Sequence, residues 1–263
     1  MTYAVVFSRK DDASLTLYKV FKEFYNRLSP PYNVIFYESG IEPIYTDNID
    51  RSLSRDTELI IFLSRHVAKS SIPTITCHAP GNPDNFNKYG GLPKSLPPTN
   101  PCFIGYFLRA AENNVKKSGL DYTVSLEVTH HGPTELEKPS VFVEIGPTKT
   151  QWRDAEGAFV VAKSILEALD KLESGLKCVG AVGFGGPHYA PIFTAMTLEE
   201  GYNFGHIISK HILQECYTDI IDLAISKTLY ANYAVINWKG LKGGVRQCVS
   251  NYLSSKKLKI IKK

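Results

Sequence analysis

Apolar residues along the 263-residue chain fall into short dense runs separated by longer amphipathic stretches. Runs of four to eight apolar, β-branched and aromatic residues read as buried strands. Thr2–Ser8 (TYAVVFS), Asn33–Glu38, Glu58–Ser64 (ELIIFLS), Pro73–His78 (PTITCH), Tyr122–Thr129, Val141–Ile145, Cys178–Phe184 and Tyr233–Asn237 are of this kind. Between them lie stretches with helical spacing. Asp11–Leu28 carries Leu15, Tyr18, Val20, Phe21, Phe24 and Leu28, and Pro30-Pro31 ends it. Cys102–Lys117 is a second. Asp154–Leu172 is a third, with Ala158, Val161, Ile165, Leu169 and Leu172 on one face. Helices are also predicted over Phe204–Gln214, Ile220–Lys227 and Leu241–Leu253.

Strands alternating with helices predict an α/β fold: a single domain with a mainly parallel, mixed sheet flanked by helices. The domain is read as residues 1–253, followed by a basic tail from Ser254 to Lys263. Residues 81–101 hold too many Gly, Pro and Asn for a regular element. They predict a long surface loop, a kind of segment that is usually functional or mobile.

Charge adds little except at the end. The net charge is +4, but five lysines stand in the last ten residues: Lys256, Lys257, Lys259, Lys262 and Lys263. They read either as a solvated, frayed terminus or as a contact for nucleic-acid phosphates. No run approaches the ~20 apolar residues of a membrane span. The N-terminus turns polar after Phe7, too soon for a signal peptide. The five cysteines are odd in number and show no CxxC spacing, which argues against a zinc ribbon and suits a reducing compartment. The expectation is a cytoplasmic protein without membrane contact, a monomer or small homo-oligomer.

Candidate chemistry lies in the histidines. All seven fall between His66 and His211, and most end a predicted strand. His66 follows IIFLS, His78 ends PTITC, His130 and His131 follow LEVT, and His188 follows AVGFGGP. Ligands of open α/β sheets bind beyond the carboxyl ends of the strands, so these histidines are expected to converge on one sheet edge. They sit in Gly/Pro turns that can hold a side chain rigidly or present N–H groups to an oxyanion. Glu127 and Glu144 lie in apolar strands. A carboxylate there is costly unless paired, so each is either a structural hydrogen-bond partner or a catalytic group. Spacing alone gives no metal motif: HExxH is missing, and His206 and His211, five apart on a predicted helix, would point about 140° from each other. GxGxxG, Walker A and GxSxG patterns are also missing.

Five segments taken together resemble the archaeal and plant D-aminoacyl-tRNA deacylase family. They are Ser64–His66 (SRH), Thr76–Asn82 (TCHAPGN), Leu126–Thr134 (LEVTHHGPT), Phe142–Thr148 (FVEIGPT) and Gly183–Thr194 (GFGGPHYAPIFT). Phe204–His211 and Asn237–Gly243 are similar as well, so the resemblance spans almost the whole chain. It implies a sheet of the phosphorylase/peptidyl-tRNA hydrolase type, hydrolysis of the D-aminoacyl ester at the tRNA 3′ end, and a Zn²⁺ requirement. His211 stands where an aromatic is expected, and no role is assigned to it.

On that reading the metal ligands are drawn from His78, His130, His188 and His206. Glu127 or Glu144 acts as general base. His131, or the backbone N–H groups of Gly185 and Gly186, stabilises the oxyanion. Tyr189 and Phe193 either stack on the single-stranded 3′ end or pack in the core. His66 is placed with the substrate-binding groups, and Lys69 with those that meet phosphates. A zinc amidohydrolase or peptidase acting on a small substrate would use the same residues. An RNA-binding module with a structural zinc and a nucleoside phosphorylase are the remaining alternatives.

Overall fold

The computed structural model describes residues 1–176 and 178–263. In chain order the elements are β1 (Thr2–Ser8), α1 (Asp12–Leu28), β2 (Asn33–Ser39), β3 (Thr57–Arg65), β4 (Thr74–His78), α2 (Pro101–Ser118), β5 (Thr123–Leu126), β6 (Ser140–Gly146), α3 (Lys149–Trp152) and α4 (Ala155–Glu173). There follow β7 (Gly180–Phe184), α5 (Pro191–Glu199), β8 (Asn203–Ile208), α6 (Thr218–Lys227), β9 (Ala231–Ile236), α7 (Gly243–Leu253) and β10 (Lys259–Lys262). The α/β class and the predominantly parallel pairing agree with the pattern of the sequence. The pairing is shared between two sheets, one of six strands in the order β2-β1-β3-β6-β4-β5 and one of four in the order β10-β9-β7-β8.

Two sequence expectations change here. Residues 204–208 form β8, a fully buried strand parallel to β7, and not the start of a helix. With both faces covered, the period-2 signal disappears and a continuous apolar run suits either element. The basic tail is not frayed. Lys259–Lys262 adds a parallel strand beside β9, because Ile260 and Ile261 give it partly buried apolar positions between the lysines. Helix α5 has no counterpart among the predicted elements. Residues 79–100 form no helix or named strand, as their composition requires.

The cysteine reading is also corrected. Cys102 is joined to Cys178 and Cys216 to Cys248, leaving Cys77 buried as the free thiol. Partners 76 and 32 residues apart come within Cα distances of 5.7 and 6.0 Å, which spacing along the chain does not disclose. No helix among the described residues is long and apolar enough to cross a membrane.

Alternation along the strands sorts the six-stranded sheet into two faces. Ile61 and Leu63 of β3, Val141, Val143 and Ile145 of β6, and Ile75 and Cys77 of β4 share the main core with α1, α2 and α4. Asp11 starts α1 by accepting from Ser14 N–H, and Asn100 starts α2 by accepting from Cys102 and Phe103 N–H. The opposite face presents Phe62 and Phe142, packed with Ile49 and Leu136 from the loops that cover it. Continuing along those strands on the same face come Ser64, Glu144 and His66, with Thr76 and His78 from β4. Strand β4 runs antiparallel to β6, pairing His78 with Phe142 and Thr76 with Glu144. The strand ends therefore do not share one edge, and the polar groups converge over a sheet face.

Candidate active site

Glu127 is the centre of the cluster. It follows β5, its N–H donates to Cys77 O, and its side chain has no solvent exposure. Its Oε1 lies 3.2 Å from His66 Nδ1 and 2.9 Å from His188 Nε2. Its Oε2 is buried without a hydrogen-bond partner. Glu144 lies across from it, 3.6 Å from His66, 3.7 Å from His131 Nε2 and 3.8 Å from His78 Nε2. Burial works against ionisation of both carboxyls. The imidazoles of His188 and His66 beside Glu127, and of His131, His66 and His78 beside Glu144, outweigh it and hold both well below the usual carboxylate range. Burial would likewise lower His66, yet the two carboxylates raise it to about 11.

The backbone fixes His66 tightly. Its N–H donates to Ile145 O, and its carbonyl accepts Trp152 Nε1–H at 3.0 Å. Gly146 is required opposite: a Cβ there would stand 2.1 Å from the His66 carbonyl oxygen. The Nε2 of His66 meets the Tyr189 hydroxyl at 3.0 Å.

His78, His130 and His131 share one device. Each Nδ1 donates to a backbone carbonyl, Ala79 O at 3.1 Å, Val128 O at 2.8 Å and Gly132 O at 2.7 Å. In a neutral ring this places the lone pair on Nε2, directed away from the backbone. The rings lie 4.4–4.9 Å apart, and His131 reaches its place through a left-handed backbone with φ of 48°. Within the group one nitrogen from each of the three lies inside a 4.8 Å sphere of mutual distances, and Glu127, His130 and His188 make a second such group. The Nε2 of His78 is buried and unpartnered, as is Glu127 Oε2.

The two sheets meet at this point. Val128 N–H donates to His188 O and Thr129 N–H to Ile207 O, while Pro80 bridges to His130 and Gly81 N–H donates to His131 O. The segment carrying both adjacent histidines is thus held between the extension of β4 and the ends of β7 and β8. Two clefts, of about 380 and 400 Å³, open on either side of it. Both are lined by Tyr89, His130, His131 and His188. The first adds Phe86, Lys88, Ser209 and His211. The second adds Asp11, Glu42, Arg65, His66 and Glu144. Phe86 and Tyr89 are 77% and 58% exposed at the cleft mouths.

Most of the residues singled out in the sequence meet here: His66, His78, Glu127, His130, His131, Glu144, His188 and Tyr189. Three proposals do not hold. His206 is away from the cluster, with Nε2 donating to Pro97 O at 2.9 Å and Nδ1 accepting from the Thr129 hydroxyl at 3.0 Å; neither nitrogen is free for a metal. Phe193 is fully buried and packs on Phe204, a core residue that cannot stack on a substrate. Gly185 N–H already donates to Ile208 O at 2.7 Å, and neither Gly185 nor Gly186 lines a cleft, so this turn makes no oxyanion hole. Lys69 lies on an exposed loop and lines neither cleft. Sequence reasoning missed Phe86 and Tyr89, whose signal was two aromatics isolated inside a polar Gly/Pro loop.

The structural duty of His206 has a measurable consequence. Burial lowers its imidazole from 6.5 to about 4. As pH falls, the unfolded chain takes up this proton first, so stability present above about pH 6.5 is lost between there and about pH 4. The total is about 3 kcal/mol. Urea unfolding of the parent and of His206→Gln at pH 7 and pH 4.5 isolates it. An equal acid loss in both would refute the assignment.

Buried carboxylates, tautomer-fixed imidazoles and two flanking clefts define a hydrolytic centre on an α/β scaffold. The model of the D-aminoacyl-tRNA deacylase family matches residues 53–261. The D-aminoacyl-tRNA deacylase of Methanosarcina barkeri is 39% identical over 222 residues, covering 83% of this chain and 71% of that protein. That of Methanocaldococcus jannaschii is 35% identical over 251 residues, 92% of each. The chain belongs to the D-aminoacyl-tRNA deacylase family. A crystal structure described as a conserved protein of unknown function superposes with a TM-score of 0.89 at 29% identity, over 100% of this chain and 95% of the other.

Proposed function

We propose that the centre hydrolyses the ester joining a D-amino acid to the terminal ribose of tRNA, releasing free D-amino acid and tRNA. The observation that carries this reading, within the family, is Glu127: a buried carboxylate with one unpartnered oxygen, its other oxygen held by His188, which lines both clefts. The cleft with Phe86, Lys88 and Tyr89 suits an unpaired 3′ end, whose bases stack on aromatic faces. The cleft with Asp11, Glu42 and Arg65 suits the aminoacyl group and its ammonium. A tRNA substrate is the ground on which we read the protein as cytoplasmic.

The donor set fits Zn²⁺, which takes neutral imidazole and carboxylate ligands. The unpartnered His78 Nε2 is the mark of that fit, and His78, His130 and His131 would hold the ion. When bound, the ion supplies Lewis-acid polarisation of the ester carbonyl and lowers the pKa of water.

The remaining work falls to the chain. Glu127 Oε2 accepts a proton from the attacking water as its oxygen bonds to the ester carbon. His188, hydrogen-bonded to Oε1 and 46% exposed at the mouth, delivers a proton to the ribose oxygen as the carbon–oxygen bond breaks. His66, positively charged between Glu127 and Glu144, holds both carboxylates ionised and in place. Release of amino acid from matched D- and L-aminoacyl-tRNAs tests the reading, with faster release from the D-ester expected. Cleavage of amide substrates without a D-ester preference would place the centre with the amidohydrolases instead.

A further inference from the structure

The four strands of the small sheet are all parallel, so their carboxyl ends lie along one edge. Following β8 come Ser209, Lys210 and His211, and Ser209 and His211 line the first cleft. Following β7 comes the Gly185-Gly186 turn that carries His188. Following β9 come Trp238, Lys239 and Lys242, and β10 ends at Lys262. These loops interlock. Lys210 N–H donates to Gly186 O, and Asn237 N–H to Phe184 O. A Cβ on Gly185 would come within 3.0 Å of Leu241.

The edge is basic. Lys210, Lys239, Lys242 and Lys262 are exposed, and Arg246 is half-buried. None of the five is in an ion pair among the described residues. The carboxylates of Glu200 and Asp222 are taken by Lys263 and Lys256. At the far end the half-buried Trp238 ring has Lys262 Nζ 4.4 Å and the Arg246 guanidinium 5.1 Å from its centroid. Strands stand about 4.8 Å apart, so four ends span roughly 15 Å. Phosphates along one strand of a duplex recur every ~3.4 Å of its axis, so the edge matches about four of them.

We propose that this edge is the track for the tRNA acceptor arm, leading the sugar–phosphate backbone from the cleft at His188 across β7 and β9 to Trp238. The proposal rests on the deacylase reading and adds where the nucleic acid beyond the reacting end is held. The test is a triple variant, Lys210→Ala, Lys239→Ala and Lys242→Ala, whose side chains are exposed and form no hydrogen bond or ion pair among the described residues. It is assayed on full-length D-aminoacyl-tRNA and on the D-aminoacyl ester of adenosine alone.

The expected result is a KM for the tRNA raised tenfold or more, with kcat nearly unchanged. The log–log salt slope should flatten by about two to three, close to one per cation removed. The adenosine ester should be hydrolysed as by the parent. An unchanged KM and slope would overturn the track, and so would equal impairment on the small ester. Failure of the deacylase reading shows separately, as no turnover of either ester by the parent. Affinity for uncharged tRNA then decides the track, which stands if the triple variant loses tenfold and falls if it does not.

Discussion

Glu127→Gln is expected to lower kcat on D-aminoacyl-tRNA by about 10²–10⁴, the range for loss of a positioned general base. The substitution keeps the shape of the side chain, so KM should stay within a few-fold. Three features make this position decisive. The carboxylate is wholly buried, one oxygen is fixed by His66 and His188, and the other has no partner. An amide in the same place offers no negative oxygen to receive a proton. It also removes a charge that His66 balances, so the imidazole should titrate at lower pH than in the parent, a shift visible by NMR. Single-turnover measurements with the variant near its own thermal stability limit excluded would settle the matter. A kcat within threefold of the parent would remove Glu127 from the chemistry.

Metal removal tests the proposed Zn²⁺ and is expected to give the second large effect. Stripping the protein with a chelator is expected to reduce turnover by about 10³ or more, since Lewis-acid stabilisation accounts for several kcal/mol of barrier. Added Zn²⁺ should restore it. His78→Ala and His130→Ala should bind no stoichiometric metal by elemental analysis, whereas His206→Gln should bind as the parent does. This contrast separates the gathered imidazoles from the structural one. Full activity in metal-free protein would leave an acid–base route through Glu127 and His188 alone.

Much of this centre was legible in the sequence because histidines and carboxylates in apolar surroundings are expensive, and strand ends are where such residues are used. Glu127 and Glu144 stood out by that cost alone. What the sequence concealed was direction. Nothing in PTITCH says that β4 runs against β6, and that reversal moves the cluster from a sheet edge to a sheet face. It also concealed β8, where full burial erased the alternation, and with it the place of His206. For Phe193 the sequence left stacking and core packing both open, because adjacency to His188 says nothing about which way a helical side chain turns. Here it turns into the core, while Tyr189, one step from His188, meets His66. The cysteine pairs were hidden for a related reason: each joins segments that only the folded topology brings together.

The seam between the two sheets has a temporal consequence. The groups around Glu127 come from residues 66 to 144 on the large sheet, but His188 and the strand that pins Thr129 belong to the small one. During synthesis the first set emerges well before the second, and β7 is flanked only after β9 has been made. A nascent chain therefore carries an incomplete pocket until its last quarter is finished. Hydrolytic competence should appear abruptly, as an all-or-none property of the docked pair, and truncation before Ile236 should abolish turnover while much of the large sheet still forms.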